Sequence, residues 1–117
     1  MQYDLWSYRV DVADAGELMN LTGYGVEATD GHIGKVDDAT DEIGSSHIVV
    51  DTGPWIFGKK VMLPAGTITR IDHQERDVYV DRTKDEIKNA PEYDERFRKD
   101  PDYHGRLGDY YGRGASR

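Results

Sequence analysis

Residues 48–68 read IVVDTGPWIFGKKVMLPAGTI, two β-branched and apolar runs around a loop that carries Trp55, Ile56 and Phe57 between Pro54 and Gly58. The first run extends back to His47 as HIVVDT, apolar on both faces, and predicts a strand running through the middle of a sheet. Gly53-Pro54 ends it. Lys59 to Leu63 resumes as a strand with Val61 and Leu63 inward, and Pro64-Ala65-Gly66 turns the chain into a further strand over Thr67 to Asp72.

The pattern continues on both sides. Upstream, Tyr24, Val26 and Ala28 share one face of a strand, and Asp30-Gly31 suits the positive φ angles of a tight hairpin turn. The returning strand begins at His32 and reads HIGKVDDAT, in which Gly34 breaks the side-chain ladder and predicts a bulge or a close backbone approach. Downstream, His73-Gln74-Glu75 is a polar turn, and Arg76 to Val80 is a strand with Val78 and Val80 on one face and Tyr79 on the other. Six short strands at nearly regular spacing predict an all-β fold, and their short connections favour antiparallel neighbours. Thr83 and Glu86 have the spacing of a capping box ahead of Ile87, which starts a helix that Asn89-Ala90-Pro91 stops.

The ends differ from this middle. Residues 1–22 form an arm whose aromatics, Trp6 and Tyr8 among them, must pack on the body or on a second copy, because a lone extended strand is not stable. Residues 92–117 alternate charges with Tyr93, Phe97, Tyr103, Tyr110 and Tyr111, and predict a tail that docks in part and is otherwise disordered.

The chain has 117 residues, enough for one domain, and no cysteine, which excludes disulfides and thiolate metal sites and fits a reducing, cytoplasmic compartment. Its apolar runs are far shorter than a membrane span, and its N-terminus lacks a basic start followed by an apolar segment, so neither membrane insertion nor secretion is expected. The net charge is −8 and lopsided, with eleven acids against Arg9 and Lys35 in residues 1–58. Without a basic stripe to neutralise phosphates, nucleic acid is not an expected partner.

The order GYGVEATDGHIGKV, HIVVDTG, KKVMLPAGTI, DVYVDRTKDEIKNAPEYD resembles the PRC-barrel family, named after the cytoplasmic domain of the photosynthetic reaction centre H subunit, and is most similar to its short stand-alone bacterial members. The likeness runs from about Leu21 to about Pro91. It implies a small six-stranded antiparallel β-barrel over residues 23–91, flanked by the arm and by a short C-terminal helix and tail. Relatives act in reaction centres and in ribosome maturation, and what they share is binding to other proteins. The chain has neither the membrane helix of the first nor the RNA-associated domain of the second, so neither role carries over.

Candidate chemistry is sparse. His32, His47, His73 and His104 have no ligand spacing and read as solvated surface. Asp37, Asp38, Asp41 and Glu42 crowd hard oxygen donors into six residues and could form a weak divalent-cation site, although the spacing is not that of an EF-hand. Ser45, Ser46 and His47 are neighbours on a strand and point to opposite faces, which is no arrangement for a nucleophile and its base. No cofactor is implied, and the expected role is non-enzymatic. The aromatic loop can plug its own fold or serve as an interface with Trp55, Ile56, Phe57, Tyr79, Trp6 and Tyr8 as anchors. The second option makes the chain a protein-binding module that self-associates as a homodimer or holds another protein; a ligand- or cation-binding regulator using residues 37–42 is the alternative.

Overall fold

The computed structural model describes residues 5–9, 21–40, 44–56 and 59–115. Among these residues there are six strands: β1 (Gly25–Ala28), β2 (Gly31–Thr40), β3 (His47–Asp51), β4 (Lys60–Pro64), β5 (Ile68–Asp72) and β6 (Asp77–Val80). They form one sheet in the order β4-β3-β2-β1-β6-β5. β1 to β4 is an antiparallel meander and β5-β6 an antiparallel hairpin, but β1 and β6 run parallel, with Val26 opposite Val78.

The expected all-β antiparallel barrel is therefore corrected to an open mixed sheet with a C-terminal helix, a small α/β fold. Short connections constrain only consecutive strands, and β1 and β6 meet across some fifty residues that no local pattern reports. Closure fails at the edges, since β4 and β5 are linked by the 3-10 turn Ala65–Thr67 yet form no ladder with each other. A three-residue link between the two edges requires the sheet to curl strongly at that corner, because so short a segment reaches only about 10 Å. Alternation and turn spacing are the same for a curled sheet and a barrel, so they could not distinguish the two.

The bulge sought at Gly34 is real: Val26 pairs with Gly34 and Glu27 with His32, leaving Ile33 as the extra residue. Gly34 has φ +153°, and a Cβ there would lie 2.1 Å from the carbonyl oxygen of Asp51. Only glycine lets β2 cross β3 so closely. Along β3, His47, Ile48, Val49 and Val50 are all buried, so both faces are covered, although the strand lies second from the sheet's edge rather than at its centre.

Helix α1 (Lys84–Lys88) starts as read from the sequence: Glu86 N–H donates to Thr83 Oγ1 at 3.1 Å, and Thr83 N–H donates to the Glu86 carboxylate at 2.8 Å. The tail needs a second correction, because it holds the longest helix among the described residues, α2 (Pro101–Ala115). Tyr103, Leu107 and Tyr111, spaced by one helical turn, are fully buried in the core that also holds Leu21, Val26, Ile48, Leu63 and Ile87. Gly105, Gly108 and Gly112 hid this helix, since each glycine costs about 1 kcal/mol of helix propensity. Packing of one apolar stripe outweighs that cost. Three contacts tie the helix down: Tyr103 Oη donates to Pro91 O at 3.0 Å, Tyr110 Oη to Glu86 O at 2.6 Å, and the buried Arg82 to Tyr111 O at 2.8 Å.

Of the N-terminal arm, residues 5–9 run against the corner where the sheet curls. Gly66 N–H donates to Leu5 O, Ser46 N–H to Trp6 O, and Arg9 reaches both Gly66 O and the Asp81 carboxylate. Residues 10–20 of the arm lie outside the described residues.

Candidate functional site

Of the six aromatic and apolar residues singled out from the sequence, the five that are described do not form one surface. β3 separates them. Trp6 and Tyr8 lie at its His47 end, whereas Trp55 and Ile56 follow its Asp51 end, five residues away.

At the His47 end the rings are used by the chain itself. Trp6 stacks on His104 of α2, with ring centroids 5.0 Å apart and planes 16° from parallel, and meets the edge of His47 at 6.4 Å. Gly108, one turn further along α2, leaves room for the indole: a Cβ there would stand 3.1 Å from Trp6 Nε1. Tyr8 Oη donates to Thr40 O at 3.0 Å. Three of the four histidines are thus not the solvated groups expected: His47 is buried, His104 is half-buried under an indole, and His73 is half-buried against Tyr24, with its Nδ1 2.9 Å from the Tyr24 hydroxyl. The signal that could have placed His104 is the Tyr103, Leu107, Tyr111 stripe, which puts it at the edge of a buried helix face.

At the Asp51 end the loop is held by a small polar staple. The buried Thr52 hydroxyl lies 2.8 Å from both Ile56 O and Lys59 O and shares its one proton between them, Gly53 N–H donates to the Asp51 carboxylate at 2.9 Å, and Gly53 adopts φ +56°. This turn sets Trp55 half-buried on the wall of a cavity of about 500 Å³. Ile33, Gly34, Thr52, Gly53 and Pro54 make the wall largely apolar, and His32, Lys35 and Asp51 add polar groups. Lys84 Nζ sits 5.4 Å from the centre of the indole, a cation–π contact that orients the ring. Ile56 instead lines a smaller cavity with Val61, Ile87 and Tyr111, and Phe57 lies outside the described residues. Tyr79, on β6, carries the Arg70 guanidinium 4.2 Å above its ring.

The acidic strand end is already neutralised where it is described. Asp37 pairs with Lys60 at 3.0 Å and Asp38 with Arg98 at 2.5 Å. Burial opposes ionisation of Asp38, but hydrogen bonds from Arg98 and from Ala39 N–H outweigh it and hold the carboxyl below its ordinary value. Asp41 and Glu42 lie outside the described residues, and among the described residues no group of three or more His, Cys, Asp or Glu side chains could hold a metal ion. Among those residues, too, no helix is long and apolar enough to cross a membrane.

A scan of the chain against protein-family models finds no match, and a search of the curated proteins finds none either.

Proposed function

We propose that this chain is a non-enzymatic binding module that presents the Trp55 cavity to an apolar group of another polypeptide, and that the polypeptide is a second copy of itself. The observation that carries the reading is the position of Trp55: a large ring, held by a stapled turn and one cation, on the wall of a mostly apolar cavity rather than inside the core. Such concave apolar sites with a few polar groups are where ligands and anchor residues bind, and tryptophan is enriched among the energetic anchors of interfaces. A second copy is the economical partner, because most soluble oligomers are twofold homodimers. The cysteine-free composition supports a cytoplasmic setting. Kinship with the PRC-barrel family rests on the order of the sequence motifs between residues 21 and 91, and on nothing in the strand closure.

The cation-binding reading gains no such support, since the described members of the acidic group already face Lys60 and Arg98. Sedimentation velocity from about 1 to 500 µM, a range that spans ordinary self-association constants, tests the proposal. A rise in mass with concentration is expected for the natural chain and its loss in Trp55→Ala. A monomer throughout the range removes self-association, and equal association of the two proteins removes the cavity.

A further inference from the structure

At the other end of β3 lies a second cavity, of about 540 Å³, whose wall is made by Ser45, His47, Arg98, Lys99, Pro101 and His104. In a chain of net charge −8, every titratable group among the described residues of that wall is a base. We infer that this cavity binds a small tetrahedral oxyanion of the phosphate class, and that binding is coupled to protonation of His104.

The chemistry follows from the donors. Lys99 is exposed and makes no ion pair among the described residues, so its ammonium is a mobile charge at the cavity mouth. Arg98 is held in place: Asp38 takes one arm of its guanidinium and Glu95 lies 4.0 Å from the other. With both arms of Arg98 turned to carboxylates, the donors left to an oxyanion are the Lys99 ammonium and the Ser45 hydroxyl. The two imidazoles add a switch. A carbonyl can only accept, so His47 Nδ1 carries a proton to Ser45 O at 2.7 Å, and His104 Nε2 carries one to Arg98 O at 2.6 Å. The proton that charges His104 therefore goes to Nδ1, and brings positive charge into the cavity wall without breaking the bond to Arg98 O.

The groups facing His104 set the direction of the coupling. His47 on β3 lies 5.7 Å away, ring to ring; Arg98 and Lys99 precede α2; Asp38 on β2 and Glu95 are engaged by Arg98; Asp100 accepts from Asp102 N–H at the start of the helix. An oxyanion seated beside His104 favours its charged form, so affinity rises as pH falls. Trp6, stacked on His104, turns the event into a signal, because a charged imidazole under an indole quenches its fluorescence and gains a cation–π contact.

The experiment uses the full chain as Trp55→Phe, which leaves Trp6 as its only tryptophan. Sulfate is the probe for pH dependence, since its own charge is constant while that of phosphate changes near neutrality. Titration at about pH 6 is expected to give a saturable quench of Trp6, with affinity at least about tenfold weaker at about pH 8. Inorganic phosphate should bind the same site by competition. By calorimetry, Lys99→Ala, at an exposed position, should weaken sulfate binding about fivefold or more. His104→Gln, which can still donate to Arg98 O, should remove the pH dependence. A response no larger than that to chloride at equal ionic strength, equal affinity at the two pH values, or unchanged binding by Lys99→Ala would each overturn the inference.

Discussion

The two tryptophans sit at opposite ends of one five-residue strand and are used in opposite ways. Trp6 is half-buried among groups of its own chain: its carbonyl accepts from Ser46, its ring lies on His104, and a glycine of α2 makes room for it. Trp55 is placed with equal care, by the Thr52 staple and Lys84, but its ring is set on the wall of a cavity. Both rings are half-buried against the core; the difference is that Trp6 meets a helix of its own chain and Trp55 meets a cavity, and residue type does not tell the two apart.

The largest test of this contrast strikes the wall beneath Trp55. Gly34→Ala would drive a Cβ into the backbone of Asp51 at a left-handed φ, so a loss of about 3 kcal/mol or more, or failure to fold, is expected in urea unfolding. Near-native stability would mean that β2 and β3 can separate, and that the Trp55 cavity is not a fixed feature.

Next, Trp6→Ala should cost about 2 kcal/mol, less than for a fully enclosed ring because Trp6 keeps some exposure. A cost near zero would erase the distinction between the two indoles. The support beneath Trp6 also has a pH signature. Burial pushes the Tyr93 phenol up to about 12 and raises those of Tyr103 and Tyr111 further. A raised phenol favours the folded state fully below its unfolded value of 10.0, and that contribution is lost as pH rises through the folded value. Unfolding free energy should thus be level from about pH 8 to 10 and fall by on the order of 2 kcal/mol towards pH 11 to 12. A level curve through pH 12 would show that the α2 tyrosines are open to solvent.

Smaller still is Gly108→Ala. It gains about 1 kcal/mol of helix propensity and presses a methyl group on Trp6 Nε1, so net stability should move by less than about 1 kcal/mol while Trp6 emission shifts. An unchanged emission spectrum would place the indole away from the helix.

The sequence carried the local structure well. Alternation located the strands, Gly34 marked the bulge, and Thr83 with Glu86 marked the start of α1, because each is settled by neighbours in the chain. What it did not carry is everything decided by distant pairing: the parallel contact of β1 with β6, the open seam, and the docking of a glycine-rich helix on a stripe of three residues. The sites divide in the same way. Trp55 stood out as a large ring between proline and glycine, while the basic cavity joins residues 45–47 to residues 98–104 and has no signature in either segment alone.

Trp55→Ala gives the most direct test of the account, with urea unfolding and sedimentation measured on the same preparation. The expected result is a stability change below about 1 kcal/mol, as for a half-buried ring at the edge of the core, together with loss of the concentration-dependent rise in mass expected of the natural chain. A large loss of stability with association intact would contradict it, and would make Trp55 a second Trp6.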